Sequence, residues 1–315
     1  MNTIEQAAKR IEQLRRAGID VPWGAAGVEQ QTGQPPAADA GTADTKLSVA
    51  PVVTDAQSAH LAPDGEDGRG ERRSKQVDLN LHRLGETGYL IPGRERSQLE
   101  EEFRIIKRPL LKNATGQSAA PVNRANLIMV TSALPGEGKT YTSINLAISL
   151  AMELDHTVLL VDADVVRPSV LDRLGLPASP GLLDILTQPD LDLADVMLKT
   201  NIPKLTLLPA GSAAGVVNTT ELLASGAMEA LLTDLAQTYS DRIIVFDAPP
   251  LLPSTESRVL ATHMGQIVVV VEADRTPKTS VAQAFNTLEA CPVVMSVLNK
   301  CSSKKANSAY GYYAV

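Results

Sequence analysis

Aromatic residues are scarce in this chain, three phenylalanines, six tyrosines and one tryptophan among 315 residues. A core built with so few rings must come from Leu, Val, Ile and Ala. The apolar share of 44% supplies enough of them, and an aliphatic core suits a parallel sheet covered by helices. Cysteine is nearly absent as well. Cys291 and Cys301 exclude a disulfide scaffold and lack the spacing of a metal knuckle, which fits a reducing compartment. No apolar run approaches the roughly 18–20 residues of a membrane span, and the first residues, MNTIEQAAKRIEQLRRAG, have no apolar stretch of the signal-peptide kind. No long basic block occurs either, and 29 basic against 36 acidic residues leave a net charge of −7. That balance argues against a nucleic-acid partner. The expectation is a soluble cytoplasmic protein, recruited to the inner face of the membrane by a partner.

Composition divides the chain into four stretches. Residues 1–20 place Ile4, Ala7, Ala8, Ile11 and Leu14 at helical spacing, with Lys9, Arg10, Arg15 and Arg16 on the other faces, a short amphipathic helix suited to docking. Residues 21–77 form a linker; from 24 to 76 there is no Phe, Tyr, Trp, Ile or Met, too little apolar surface to offset chain entropy. Residues 78–303 read as one α/β domain. Its first long helix, in ERSQLEEEFRIIKRPLLKN, sets Leu99, Phe103, Ile106 and Leu110 on one face and Glu101, Arg104 and Lys107 on the other. Strands are expected at 126–132, 157–162, 204–209, 242–247, 266–272 and 293–298, with helices between them. That alternation predicts a mostly parallel sheet with helices on both faces. Residues 304–315 carry three of the six tyrosines and have no apolar period, a flexible tail.

The chemistry gathers around LIMVTSALPGEGKT. From Ala133 to Thr140 the spacing is that of a phosphate-binding loop between a strand and a helix, with Ala133 where the strict pattern has glycine. Gly136 and Gly138 let backbone N–H groups curl around a phosphate, beside Pro135, Glu137 and Tyr141. Lys139 is placed to reach the β- and γ-phosphates and Thr140 to ligate Mg²⁺. The carboxylates such a site needs are expected at strand ends. Asp247 ends IIVFD before Pro249 and Pro250, while Asp162 and Asp164 end TVLLVDAD two residues apart, so that both side chains point the same way. Alone, each aspartate reads as a turn or capping residue; beside a phosphate loop, all three read as metal or catalytic carboxylates. The fold expected is therefore a P-loop NTPase, with ATP and Mg²⁺ as cofactors.

Together, TSALPGEGKT, the apolar-DAD segment and the apolar-DAPP segment resemble the Walker A, A′ and B motifs of bacterial tyrosine kinases, relatives of the MinD and ParA ATPases. The similarity is greatest to the cytoplasmic autokinases of exosortase-associated exopolysaccharide loci. It implies a tyrosine autokinase acting on its own C-terminal cluster, here Tyr310, Tyr312 and Tyr313, with Lys139, Asp162, Asp164 and Asp247 as catalytic residues. Asp162 and Asp164 both stand as the candidate base. Asn299 would touch the adenine. Glu101, Arg104 and Lys107 resemble an E-x-x-R-x-x-R oligomerisation helix, implying a ring-like homo-oligomer. A transmembrane chain-length regulator is the implied activator and a tyrosine phosphatase a further partner. Val166 stands where the family has an arginine, and Lys107 where the helix motif has its last one. The alternatives are a MinD-like switch ATPase, whose signature lysine is replaced by Leu134, and a nucleotide-sensing scaffold without kinase activity.

Overall fold

The computed structural model describes residues 75–93, 97–118, 120–212, 218–238 and 242–302; the expected N-terminal helix and tyrosine tail lie outside these residues. In chain order the elements are β1 (Lys75–Val77), α1 (Leu81–Glu86), α2 (Gln98–Ala114), β2 (Leu127–Ser132), α3 (Lys139–Ala151), β3 (Thr157–Asp162), α4 (Val170–Leu174), α5 (Leu182–Thr187) and α6 (Leu193–Val196). There follow β4 (Leu198–Thr200), β5 (Leu205–Leu208), α7 (Thr219–Leu223), α8 (Gly226–Thr238), β6 (Arg242–Asp247), α9 (Thr255–Ala261), β7 (Gln266–Glu272), α10 (Lys278–Asn286) and β8 (Val294–Asn299).

Eight strands form one sheet in the order β1-β4-β5-β3-β6-β2-β7-β8. All neighbours are parallel except β4 and β5. The central strands are apolar on both faces because helices cover both. Leu127 and Met129 of β2 face one helical layer with α8 and α9; Ile128 and Val130 face the other, with α2 and α3. Their near-total burial is what a parallel sheet demands.

The expected central strands lie within about a residue of their observed limits. Three features depart from expectation. The strand β1 begins inside the segment read as linker and pairs with β4, which the sequence reading also passed over. The helical pattern ELLASGAMEALLTDLAQT, expected as one of the helices between strands, is two helices, because the Ser225 hydroxyl accepts the Met228 N–H and starts a new one. In α2, Lys107 belongs to the packed side with Phe103 and Leu110; its ammonium donates to the Ser149 carbonyl at 2.6 Å and pairs with Glu153 at 2.7 Å. It is thus tied to the end of α3 within its own chain, whereas Glu101 and Arg104 pair with each other at the surface.

Candidate active site

Parallel register sets the site. Asp162, last in β3, lies directly opposite Asp247, last in β6, and β2 between β6 and β7 runs into the phosphate loop. The loop is built around two glycines with positive φ, Gly136 (+86°) and Gly138 (+100°). Gly138 is also the first capping residue of α3, and a β-carbon there would collide with the Asn299 amide. Asn299 donates to the Glu137 carbonyl at 2.9 Å, and Lys300 donates to the Gly136 carbonyl at 2.7 Å.

Two expected loop contacts turn inward. Ala133 is fully buried in the core. The Glu137 carboxylate is buried too, accepting the Leu134 N–H at 2.6 Å and the Thr276 hydroxyl. These two residues shape the loop from behind and offer phosphate only their backbone. Pro135, Gly136, Gly138, Lys139, Thr140, Tyr141 and Asn299 do border a cavity of about 1000 Å³ at the carboxyl ends of the strands.

The Lys139 ammonium donates to Asp164 Oδ2 at 2.6 Å, and Asp164 borders the cavity. Asp162 is used differently. Its Oδ2 accepts the N–H groups of Ser169 and Val170 at 3.0 and 2.9 Å, fastening the turn that follows β3. Burial, and then the neighbouring Asp247 carboxylate, push the Asp162 carboxyl up to about 7, against the pull of those N–H groups. Asp247 is completely buried, and burial raises its carboxyl against the opposing charge of Lys139. One of its oxygens accepts the Ser143 hydroxyl at 2.9 Å; the other, Oδ2, has no partner.

Among the described residues, no three His, Cys, Asp or Glu side chains group to hold a metal by themselves. The expectation of three aspartates and Thr140 around one ion therefore changes. Mg²⁺ asks for less, because it binds through one or two carboxylates plus substrate phosphates and water. The unpartnered Asp247 Oδ2 and the Thr140 hydroxyl, itself 3.1 Å from the Ser169 hydroxyl, fit that requirement.

Several participants escaped the sequence reading. Ser143, one helical turn after Lys139, orients Asp247, a spacing that was visible in the motif. Ser169 links Thr140 to the Asp162 turn. Arg173 borders the cavity and stands beside the Tyr89 hydroxyl. Glu256 also borders it; against the upward pull of burial, its own N–H and the hydroxyls of Thr220, Ser254 and Thr219 hold its carboxyl at about 2. No local pattern marks the last two, because the chain brings them in from separate helices.

Residues 125–297 match the AAA_31 family, described as an AAA domain. The chain is 30% identical over 221 residues to tyrosine-protein kinase YwqD of Bacillus subtilis, which takes in 69% of this chain and 87% of that protein. The crystal structure of the VpsO kinase domain is 31% identical and covers 65% of this chain and 100% of that one, with a TM-score of 0.52. The chimerical protein CapA2B2 is 25% identical, with 71% and 93% covered and a TM-score of 0.55. The phosphate loop, the paired strand-end aspartates and the relatives agree, and the chain belongs to the family of bacterial tyrosine-protein kinases built on an AAA domain.

Proposed function

We propose that this chain transfers the γ-phosphoryl group of ATP to tyrosines of its own tail, Tyr310, Tyr312 and Tyr313, in trans between copies, and so regulates exopolysaccharide synthesis or export. One observation carries the reading. The cavity that collects Lys139, Thr140 and Asp164 is rimmed by Asn299 and Lys300, from which the chain leads on to the tail. The two described tyrosines of the domain, Tyr89 and Tyr141, are poor acceptors. Tyr89 is buried, Tyr141 donates its hydroxyl to the Gly88 carbonyl at 2.8 Å, and burial raises both phenols.

The residues divide the work. Backbone N–H groups of the loop and the positive end of α3 receive the triphosphate. Lys139 leaves Asp164 for the phosphate oxygens and steadies the charge that develops on them. That exchange frees Asp164, which faces the cavity, to accept the tyrosyl proton. A phenol with an ordinary pKa near 10 needs such a base. The tyrosyl oxygen bonds to the γ-phosphorus, the bond to the bridging oxygen breaks, and ADP leaves. Asp162 keeps the turn that presents Asp164. Mg²⁺, when held by Thr140 and Asp247, neutralises phosphate charge. Ring-like assembly through the Glu101 and Arg104 surface, activation by a transmembrane chain-length regulator and reversal by a phosphatase rest on the family resemblance. So does recruitment to the membrane; among the described residues no helix is long and apolar enough to cross one.

The test mixes two chains with Mg-ATP, Lys139→Ala as acceptor only and Tyr310/Tyr312/Tyr313→Phe as donor only, and maps phosphate by mass. Phosphate on the tail of the lysine variant is the expected result. A blank result that persists after membranes from the host are added, with nucleotide still bound, would favour a switch ATPase or a nucleotide-sensing scaffold. Leu134 weighs against the first of these, since it packs on the core where that class has a reaching lysine.

A further inference from the structure

A second hollow, of about 640 Å³, lies between the first half of α2 and the end of β8. It is lined by Phe103, Ile105 and Ile106 on one side and Leu298 on the other. Ile105 and Leu298 are 53% and 61% exposed, two of the four large apolar side chains that the described residues leave open to solvent. Among the described residues β8 is the outermost strand on this side, and one row of its backbone hydrogen-bonding groups has no neighbouring strand there. Such an edge beside an apolar hollow favours a cover.

The chain itself points to the cover. Cys301 and Ser302, the last described residues, also line the hollow, so the path toward the tail starts inside it. From Ser302 to Tyr310 is eight residues, a reach of up to about 28 Å; the stretch of α2 bordering the hollow, from Gln98 to Ile106, rises only about 12 Å. Every part of the hollow is within reach of the tail rings. The charges also match. Lys304 and Lys305 open the tail, and the carboxylates of Glu102 and Asp274 border the hollow, while the Lys300 ammonium that also lines it is already paired with Glu272 at 3.0 Å.

We infer that this hollow is a resting site for the unphosphorylated tail of the same chain, whose tyrosine rings cover Ile105 and Leu298. The inference rests on the proposed function only in taking the tail tyrosines as acceptors. A ring seated there is withheld from its own cavity and leaves the hollow before a neighbouring copy can phosphorylate it. Phosphorylation adds about −1.5 to −2 charge per tyrosine beside Glu102 and Asp274 and removes a favourable apolar contact. The modified tail is therefore expelled.

Hydrogen exchange on the full chain without ATP tests this. Peptides covering 97–106 and 294–302 are compared among the wild type, Tyr310/Tyr312/Tyr313→Glu and Ile105→Lys, with exchange in β2 and β3 as the check that each remains folded. Slow exchange at both segments in the wild type, lost in the two variants and unchanged on dilution, is expected. Equal exchange in all three overturns the inference, as does protection that disappears on dilution, since the cover would then be a second copy. The phosphate mapping is a separate readout. Protection without tail phosphorylation, even after membranes from the host are added, would sink the kinase reading alone, and phosphorylation without protection would sink this site alone.

Discussion

The Lys139 ammonium and Asp164 Oδ2 are 2.6 Å apart, so the lysine of the phosphate loop and the carboxylate at the cavity wall neutralise each other. In the proposed mechanism, binding a triphosphate and exposing the base are one event. Asp164→Asn is expected to bind nucleotide while its rate of tail phosphorylation falls by about 10²–10⁴-fold. Nucleotide titration beside initial rates checks this; loss of binding to the same extent would make Asp164 a loop support only.

Asp162 makes stability depend on pH. Its carboxyl moves from an ordinary 3.8 to about 7 on folding. Between those values the folded chain keeps a proton that the unfolded chain has released, so this group's contribution falls as pH rises and its full penalty stands above 7. That penalty is at most about 4 kcal/mol. Asp162→Asn removes the titration and keeps an acceptor for the Ser169 and Val170 N–H groups. Urea unfolding at about pH 5 and about pH 8 is expected to show the variant gaining on the wild type at the higher pH. A constant difference between the two pH values would refute this.

Gly138 combines a positive φ with contact to Asn299. Gly138→Ala strains the backbone by about 1–2 kcal/mol and drives the Asn299 amide off the Glu137 carbonyl. Nucleotide affinity is expected to fall further than thermal stability. The reverse order, measured by titration and melting of the same preparation, would show that the loop tolerates the methyl group.

Lys107 holds α2 against the end of α3 through its bonds to Ser149 and Glu153. Lys107→Met keeps the apolar stem and removes the charge, leaving the buried Ser149 carbonyl without this donor. A loss of about 1–3 kcal/mol in denaturant unfolding is expected. An unchanged midpoint together with altered assembly by light scattering would return Lys107 to the subunit contact suggested by the helix motif.

The sequence revealed most where burial is uniform. Central strands such as Leu127–Ser132 and Gln266–Glu272 are apolar on both faces, and no other element fits a short run of that kind between glycines and prolines. Three-residue strands at one side of the sheet carry no such pattern, so Lys75–Val77 and Leu198–Thr200 were invisible until the sheet placed them. The phosphate loop was legible because its spacing is itself the binding geometry. The roles of Asp162 and Asp164 were not; they share a strand end and differ only in their partners, Ser169 and Val170 for one and Lys139 for the other. Lys107 deceived for a related reason. A long stem lets a charged residue occupy the packed side of a helix and still find partners at its edge.

Asn299 and Lys300 hold the carbonyls of Glu137 and Gly136. The phosphate loop and the strand that leads toward the C-terminal tyrosines therefore share one mooring. A change in the path of the chain after β8 bears on the backbone of the phosphate loop through these two side chains.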